Sequence, residues 1–379
     1  MSEGRVGRWA VVAVAGGALA VAACSSRRDA DAGDSAMPTA QSMDSAKSAE
    51  GAMKSGATTP AKPESDMQAV LDQLGSLKPR PLETLTPAEA RKQPTPKDAV
   101  VALLMSQGKP TTPDASVATK DTMIPGPGGK LPVRIYTPKD ASGPLPVVVY
   151  YHGGGWVIAD RNVYDAGARA ISKDANAIVV SVDYRLAPEH KFPAAHDDAF
   201  AAYQWALANA AKIGGDPNRV ATAGESAGGN LAVATAMAAR DKGVKLPVHV
   251  LAVYPIAGTD TTTASYVENA SAKPLSRPAM VWFLNNYTRS AADWQDPRIN
   301  LVRADLKRLP PVTIITDQID PLRSEGQVLA QKLKEAGVAV DSRNYDGVTH
   351  EFFGMGAVLD KARDANQYGA DGLKKGFGG

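Results

Sequence analysis

Apolar residues cluster in short runs at positions 147–151, 178–182, 248–254 and 312–316, and most of these runs are continuous instead of alternating with polar residues. Further strand candidates lie at 133–136, 220–222 and 338–345, and helical spacing appears between them at 197–211, 230–240 and 324–336. Continuous Val/Ile runs separated by helices mark strands covered on both faces. The predicted fold class is therefore α/β, with a mostly parallel central sheet and helices on both faces. No internal repeat is visible.

Two helices are expected before any strand. Val70, Leu71, Leu74 and Leu77 have helical spacing, and a second helix is predicted at 96–105 after a proline-rich joint. The rhythm breaks at 261–300, where about forty mixed residues, including Trp282, Phe283 and Tyr287, separate two strands; long insertions in compact domains are usually functional. Together with 67–105 this segment is expected to build a helical cap. A closing helix is predicted at 358–374.

The N-terminal part reads differently. Residues 25–65 hold Ser, Ala, Asp, Gly, Thr, Pro and Met with almost no large aliphatic or aromatic side chains. Such a segment cannot offset the entropy of ordering, so 24–65 is expected to be a disordered tether to a domain at 66–379. Ahead of it, Arg5, Arg8 and an apolar stretch at 9–22 have the layout of an export signal, too short for a span of about 20 residues. Val21-Ala22-Ala23-Cys24 resembles the lipobox of bacterial lipoproteins. The resemblance implies a signal peptide at 1–23, lipidation of Cys24 and anchoring to the cell envelope by several buried acyl chains. Ser25 would direct the product to the outer membrane in a Gram-negative cell. A plain secretory signal with an incidental cysteine is the alternative.

Charge and cysteine count narrow the function. Lys+Arg 42 against Asp+Glu 40 leaves a net charge of +2, which builds no basic field for nucleic acid. Cys24 is the single cysteine, so neither an intrachain disulfide nor a thiolate metal cluster is possible.

Chemistry concentrates in two glycine-rich strings. Gly224-Glu225-Ser226-Ala227-Gly228 sits between a short apolar strand and a helix, where a nucleophile elbow needs flanks without side chains. His152-Gly153-Gly154-Gly155-Trp156 follows the run at 147–151, and successive glycines let backbone N–H groups approach a developing oxyanion. A phosphate loop would want a Lys-Ser/Thr pair or G-x-G-x-x-G spacing, which is absent. Triad partners of such a serine follow in the order acid, then histidine, at strand ends. Asp317 and Asp320 follow the strand at 312–316, and His350 follows the one at 338–345. Among the other histidines, His152 belongs to the glycine loop, His190 and His196 lie in or after the segment opened by Asp183, and His249 falls within a core strand. In these roles His350 would take the Ser226 proton and the acid would fix the imidazole tautomer.

Those two strings, with Asp183-Tyr184-Arg185-Leu186-Ala187-Pro188-Glu189 and Asn230 after the serine motif, resemble the hormone-sensitive-lipase family of α/β-hydrolases over about 132–354. The resemblance implies Ser226 as nucleophile and the N–H groups of Gly153, Gly154 and Ala227 as oxyanion hole. It also implies Asp320, in Asp320-Pro321-Leu322-Arg323, as the acid and His350 as the base. Asp317 is then a surface turn residue. Two positions depart from the family pattern: Ser324 stands where an acidic residue is common, and Glu351 where glycine is common. The segment 183–193 is expected to support the oxyanion loop, with no catalytic part for Glu189 or His190. Trp156, Trp282, Phe283 and Tyr287 are candidates for lining an acyl pocket, with ordinary core packing as the alternative. The implied activity is a serine carboxylesterase for short to medium acyl esters, with no cofactor or metal and a small-molecule ester as partner. A polysaccharide acetylesterase and a non-catalytic small-molecule receptor on the same fold are the rival readings.

Overall fold

A computed structural model describes residues 61–379. The expected signal peptide, Cys24 and the tether up to residue 60 lie outside the described residues. Three helices come first: α1 (Ser65–Ser76), α2 (Pro87–Ala90) and α3 (Pro96–Ser106). α1 buries Met67, Val70 and Leu74, one face at helical spacing. α2 and α3 each start with a threonine, Thr86 or Thr95, in a reciprocal capping box with Glu89 or Asp98, followed by proline in the first turn.

The sheet elements follow as β1 (Val117–Gly126), β2 (Gly129–Pro138), β3 (Leu145–Tyr151), α4 (Asp165–Asp174), β4 (Ile178–Val182), α5 (Ala194–Asn209), β5 (Gly215–Glu225), α6 (Ala227–Asp241) and β6 (Val250–Val253). After them come α7 (Ala264–Glu268), α8 (Arg277–Tyr287), β7 (Val312–Ile319), α9 (Arg323–Glu335), β8 (Val340–Thr349) and α10 (Asp360–Phe377). The strands form one sheet in the order β1-β2-β4-β3-β5-β6-β7-β8. β1 pairs antiparallel with β2 and β2 with β4, whereas every pairing from β4 through β3 to β8 is parallel. This is the mostly parallel α/β sheet that the continuous apolar runs predict.

Strand β3 shows why those runs are continuous. All seven of its residues are buried. Val147, Val149 and Tyr151 join a core with Phe200 of α5, Leu231 of α6 and Leu329 of α9, while Val148 and Tyr150 join one on the other face with Ile171 of α4 and Leu373 of α10. Each such side chain contributes about 1.5–3 kcal/mol by leaving water. The sequence reading did not foresee the short α2, nor two longer elements of the sheet layers. β1 is an edge strand on which only Val117 and Ile124 are buried, so it lacks an apolar signal. α4 buries Gly167, Ala168, Ile171 and Ser172, mostly small side chains that leave little hydrophobic period. Among the described residues, no helix is long and apolar enough to cross a membrane.

Three parallel strands, β5, β7 and β8, deliver their C-terminal ends to one rim of the sheet. Crevices outside such ends are where open α/β sheets bind ligands.

Candidate active site

Ser226 stands between the last residue of β5 and the first of α6 with φ 57 and ψ −118, a backbone that costs a non-glycine residue on the order of 1–3 kcal/mol. Its N–H donates to the Val253 carbonyl at 2.9 Å and its carbonyl accepts from Asn230 and Ile256 at 3.1 and 3.2 Å, so the neighbouring strand and helix hold the turn in place. Glycine is required close by, because a Cβ on Gly228 would overlap the Tyr151 carbonyl. The turn therefore presents the hydroxyl of Ser226 at the N-terminal end of α6.

His350 follows β8 directly and Asp320 follows β7 directly. Asp320 Oδ2 lies 2.8 Å from His350 Nδ1, and His350 Nε2 lies 3.0 Å from Ser226 Oγ. An ionised carboxylate only accepts, so it takes the Nδ1–H and leaves the Nε2 lone pair facing the serine hydroxyl. Asp320 Oδ1 is fixed in turn by the Leu322 N–H at 2.9 Å. Burial pulls the imidazole pKa down, but the charge and hydrogen bond of Asp320, with Glu351 and Glu225 behind it, outweigh burial and leave it raised. A hydroxyl, an imidazole and a carboxylate so aligned can activate an oxygen nucleophile.

Asp317 is not a surface turn residue. It belongs to β7 and is fully buried, since its strand position faces the interior beside Asp320. Burial, then repulsion from Asp320, pushes its carboxyl well above the usual range, so it holds its proton. Asp317, Asp320 and His350 are the one group of three among the described residues that could gather around a metal ion. A cation there would break the existing Asp320–His350 hydrogen bond.

The glycine loop turns above the serine. Gly154 and Gly155 have φ 91 and φ 58, and a Cβ on Gly154 would strike the Ile158 carbonyl. The N–H groups of Gly153 and Gly154 donate to no protein acceptor among the described residues, and Ala227 opens α6, where helical N–H groups lack partners. The loop is braced from the segment beyond β4. Tyr184 stacks on His152 at 4.3 Å and donates its hydroxyl to the His152 carbonyl at 2.8 Å, and the Ala187 N–H donates to the Trp156 carbonyl at 2.9 Å. Arg91 ties the same parts together, reaching the Val157 carbonyl at 2.8 Å, the Ala187 carbonyl at 2.7 Å and both oxygens of Glu189 at 2.8 and 2.7 Å.

Ser226 and His350 open onto a cavity of about 500 Å³ roofed by Leu71 and Leu74 of α1 and by Met280 and Phe283 of α8. Of the four aromatic candidates for the acyl pocket, Phe283 alone lines it. The positive φ of Trp156 turns its ring inward, where it stacks on Tyr287 at 4.4 Å. Tyr287 in turn bonds His196 Nδ1 at 2.7 Å, and Trp282 donates its indole N–H to the Leu85 carbonyl at 3.0 Å. Trp156, Trp282 and Tyr287 are thus packing residues, because each has a partner that draws it away from the cavity.

Several groups beside the site have partners that the sequence does not reveal. Glu225 is buried with its carboxyl held by the hydroxyls of Tyr150 and Tyr254, and burial pushes it up to about 7. Tyr254 also packs on the His350 ring, 4.5 Å between centroids. Glu351 has φ 75 and accepts the Tyr164 hydroxyl at 2.5 Å. Ser324 exchanges hydrogen bonds with Ser265 at 3.1 and 3.0 Å, tying the start of α9 to α7.

The chain is similar to known proteins over most of this region. It matches the family described as alpha/beta hydrolase fold over residues 148–354. It is 42% identical over 249 residues to the carboxylesterase NlhH of Mycobacterium tuberculosis, covering 65% of this chain and 78% of that protein. An ethyl acetate hydrolase of Pseudomonas putida is 33% identical over 290 residues, 74% of this chain and 88% of its own. Among solved structures, an esterase of Pyrobaculum calidifontis superposes with a TM-score of 0.72 at 37% identity, covering 80% of this chain and 97% of its own.

Proposed function

Because the chain belongs to the alpha/beta hydrolase fold family and is a carboxylic ester hydrolase, we propose that it works as a serine esterase through Ser226, His350 and Asp320. In this reading Ser226 Oγ attacks the ester carbonyl as His350 Nε2 takes its proton. The tetrahedral oxyanion rests on the N–H groups of Gly153, Gly154 and Ala227. His350 then protonates the departing alcohol, and water, activated by the same imidazole, releases the acid from the acyl-enzyme. The observation that carries the reading is the unbroken line from Asp320 Oδ2 through His350 to Ser226 Oγ, at 2.8 and 3.0 Å.

Short to medium acyl esters are the proposed substrates. A cavity of about 500 Å³ under α1 and α8 supports this choice, as does the name of the ethyl acetate hydrolase relative. The helices within 67–105 and 261–300 act as the cap in this reading. Lipidation at Cys24, after removal of a signal at 1–23, is proposed to hold the enzyme on the cell envelope by a tether that ends before Glu64, whose N–H donates to the Gly347 carbonyl, and Ser65, the first residue of α1; the lipobox-like Val21-Ala22-Ala23-Cys24 supports it.

Hydrolysis of p-nitrophenyl esters of graded acyl length tests the activity, with butyrate expected to outpace palmitate. A palmitate optimum would overturn the acyl range. Metabolic lipid labelling tests the anchor: label on the native chain and none on Cys24→Ser is expected, and equal label on both would refute it.

A further inference from the structure

Glu351 is a side chain that the proposed reaction does not use, yet it lies against the reacting nitrogen. Its φ of 75 is the left-handed region that costs a non-glycine residue energy, and the hydrogen bond from Tyr164 at 2.5 Å holds it there. The same oxygen, Oε1, stands 4.0 Å from His350 Nε2, and the residue forms part of the cavity wall. A carboxylate offers about four acceptor positions. Tyr164 fills one, and no other side-chain or backbone donor among the described residues reaches the rest.

The position of that carboxyl relative to the substrate follows from the proton's path. Nε2 delivers its proton to the oxygen of the leaving alcohol, so that oxygen must come within hydrogen-bond reach of Nε2. A carboxyl beside the same nitrogen therefore borders the alcohol half of the ester and not the acyl chain. Beside Glu351, the cavity lining holds Lys78, Arg80 and Lys273 against Glu83, a net positive wall that disfavours a cationic alcohol. A neutral hydroxyl remains as the matching group, since it donates a charge-assisted bond to the carboxylate without repulsion from those cations.

We infer that Glu351 selects the alcohol half of the substrate, accepting a hydrogen bond from a hydroxyl on the carbon next to the ester-bearing one. Monoesters of polyhydric alcohols, such as 1,2-diols, glycerol or sugars, are then favoured over esters of simple alkanols. This rests on the proposed roles of Ser226 and His350.

The test compares 2-hydroxyethyl butyrate with propyl butyrate, in which a methyl replaces the hydroxyl. The native protein should favour the hydroxy ester by about tenfold in kcat/KM, the worth of one hydrogen bond to a charged group. Glu351→Gly, which suits the left-handed backbone, should bring the ratio to about one, and Tyr164→Phe, which frees the carboxyl, should lower it. A native ratio near one, or a ratio unchanged in Glu351→Gly, overturns the inference. Hydrolysis of p-nitrophenyl butyrate by the same preparations separates the two levels. If it proceeds while the ratio stays near one, only the role of Glu351 falls; if the native protein hydrolyses none of the esters, the triad reading falls with it.

Discussion

Asp320, and not Asp317, holds the imidazole of His350, with Oδ2 at 2.8 Å from Nδ1. Both carboxyls are fully buried and three positions apart, so the distinction lies in their partners. Asp320 accepts from the Leu322 N–H and from His350, whereas neither oxygen of Asp317 has a donor among the described residues. Asp317, kept protonated by burial and by its neighbour, stays neutral beside Asp320.

Exchange of each acid for its amide separates them. Asp320→Asn should lower kcat by about 10⁴, because the amide oxygen keeps the Leu322 N–H and the NH2 then faces Nδ1, so that the wrong tautomer faces Ser226. Asp317→Asn keeps the size and the neutral state of a side chain that holds no triad member, so kcat should stay within about fivefold of native. Steady-state kinetics with p-nitrophenyl butyrate on both variants reads the difference. Equal losses would make the two carboxyls one functional unit.

The pH profile carries a second prediction. His350 must be neutral to act as a base, so activity is lost as pH falls through its pKa. Burial lowers that pKa, and Asp320, Glu351 and Glu225 together raise it above the ordinary 6.5. The acid limb of kcat/KM is therefore expected above 6.5, and Glu351→Gln, by removing one of those charges, should move it down. A native limb below the ordinary value, or one that rises in Glu351→Gln, would contradict this balance.

Stability should depend on pH through Glu225. Its carboxyl ionises near 4.5 in the unfolded chain and at about 7 when folded. Between those values the folded protein keeps a proton that the unfolded chain has released, so stability is fully present below the lower value and declines as pH rises through the upper one. The decline is on the order of 3 kcal/mol. Glu225→Gln retains an acceptor for the Tyr150 and Tyr254 hydroxyls, and urea unfolding at about pH 5 and about pH 8 should show a smaller difference for it than for the native protein. Glu325, pushed up to about 8 by burial, adds to the same decline and remains in the variant. An unchanged difference would remove Glu225 as its source.

What the sequence made legible is what the local backbone demands. The glycines around Ser226 and after His152 are written into consecutive positions because close approach and positive φ leave no other residue. β3 is legible because both of its faces are covered, and β1 is not because only Val117 and Ile124 of its ten residues are buried. The surroundings of the triad were hidden, since they join distant parts of the chain. Tyr164 and Glu351 meet across 187 positions and Tyr150 and Glu225 across 75, with no periodic signal in either pair. Which of the aromatic candidates meet the cavity was hidden for a related reason. A ring beside a glycine loop can turn either way, and the backbone of Trp156 sends it toward Tyr287.

Covalent capture by a fluorophosphonate tests the central claim most directly, because only a serine hydroxyl sharpened by a neighbouring imidazole reacts readily with it. Peptide mapping of the labelled protein should find one adduct per chain, on Ser226, with hydrolysis lost in proportion to labelling and no adduct on Ser226→Ala. An active preparation that stays unlabelled, or one inactivated by an adduct on another residue, would contradict it.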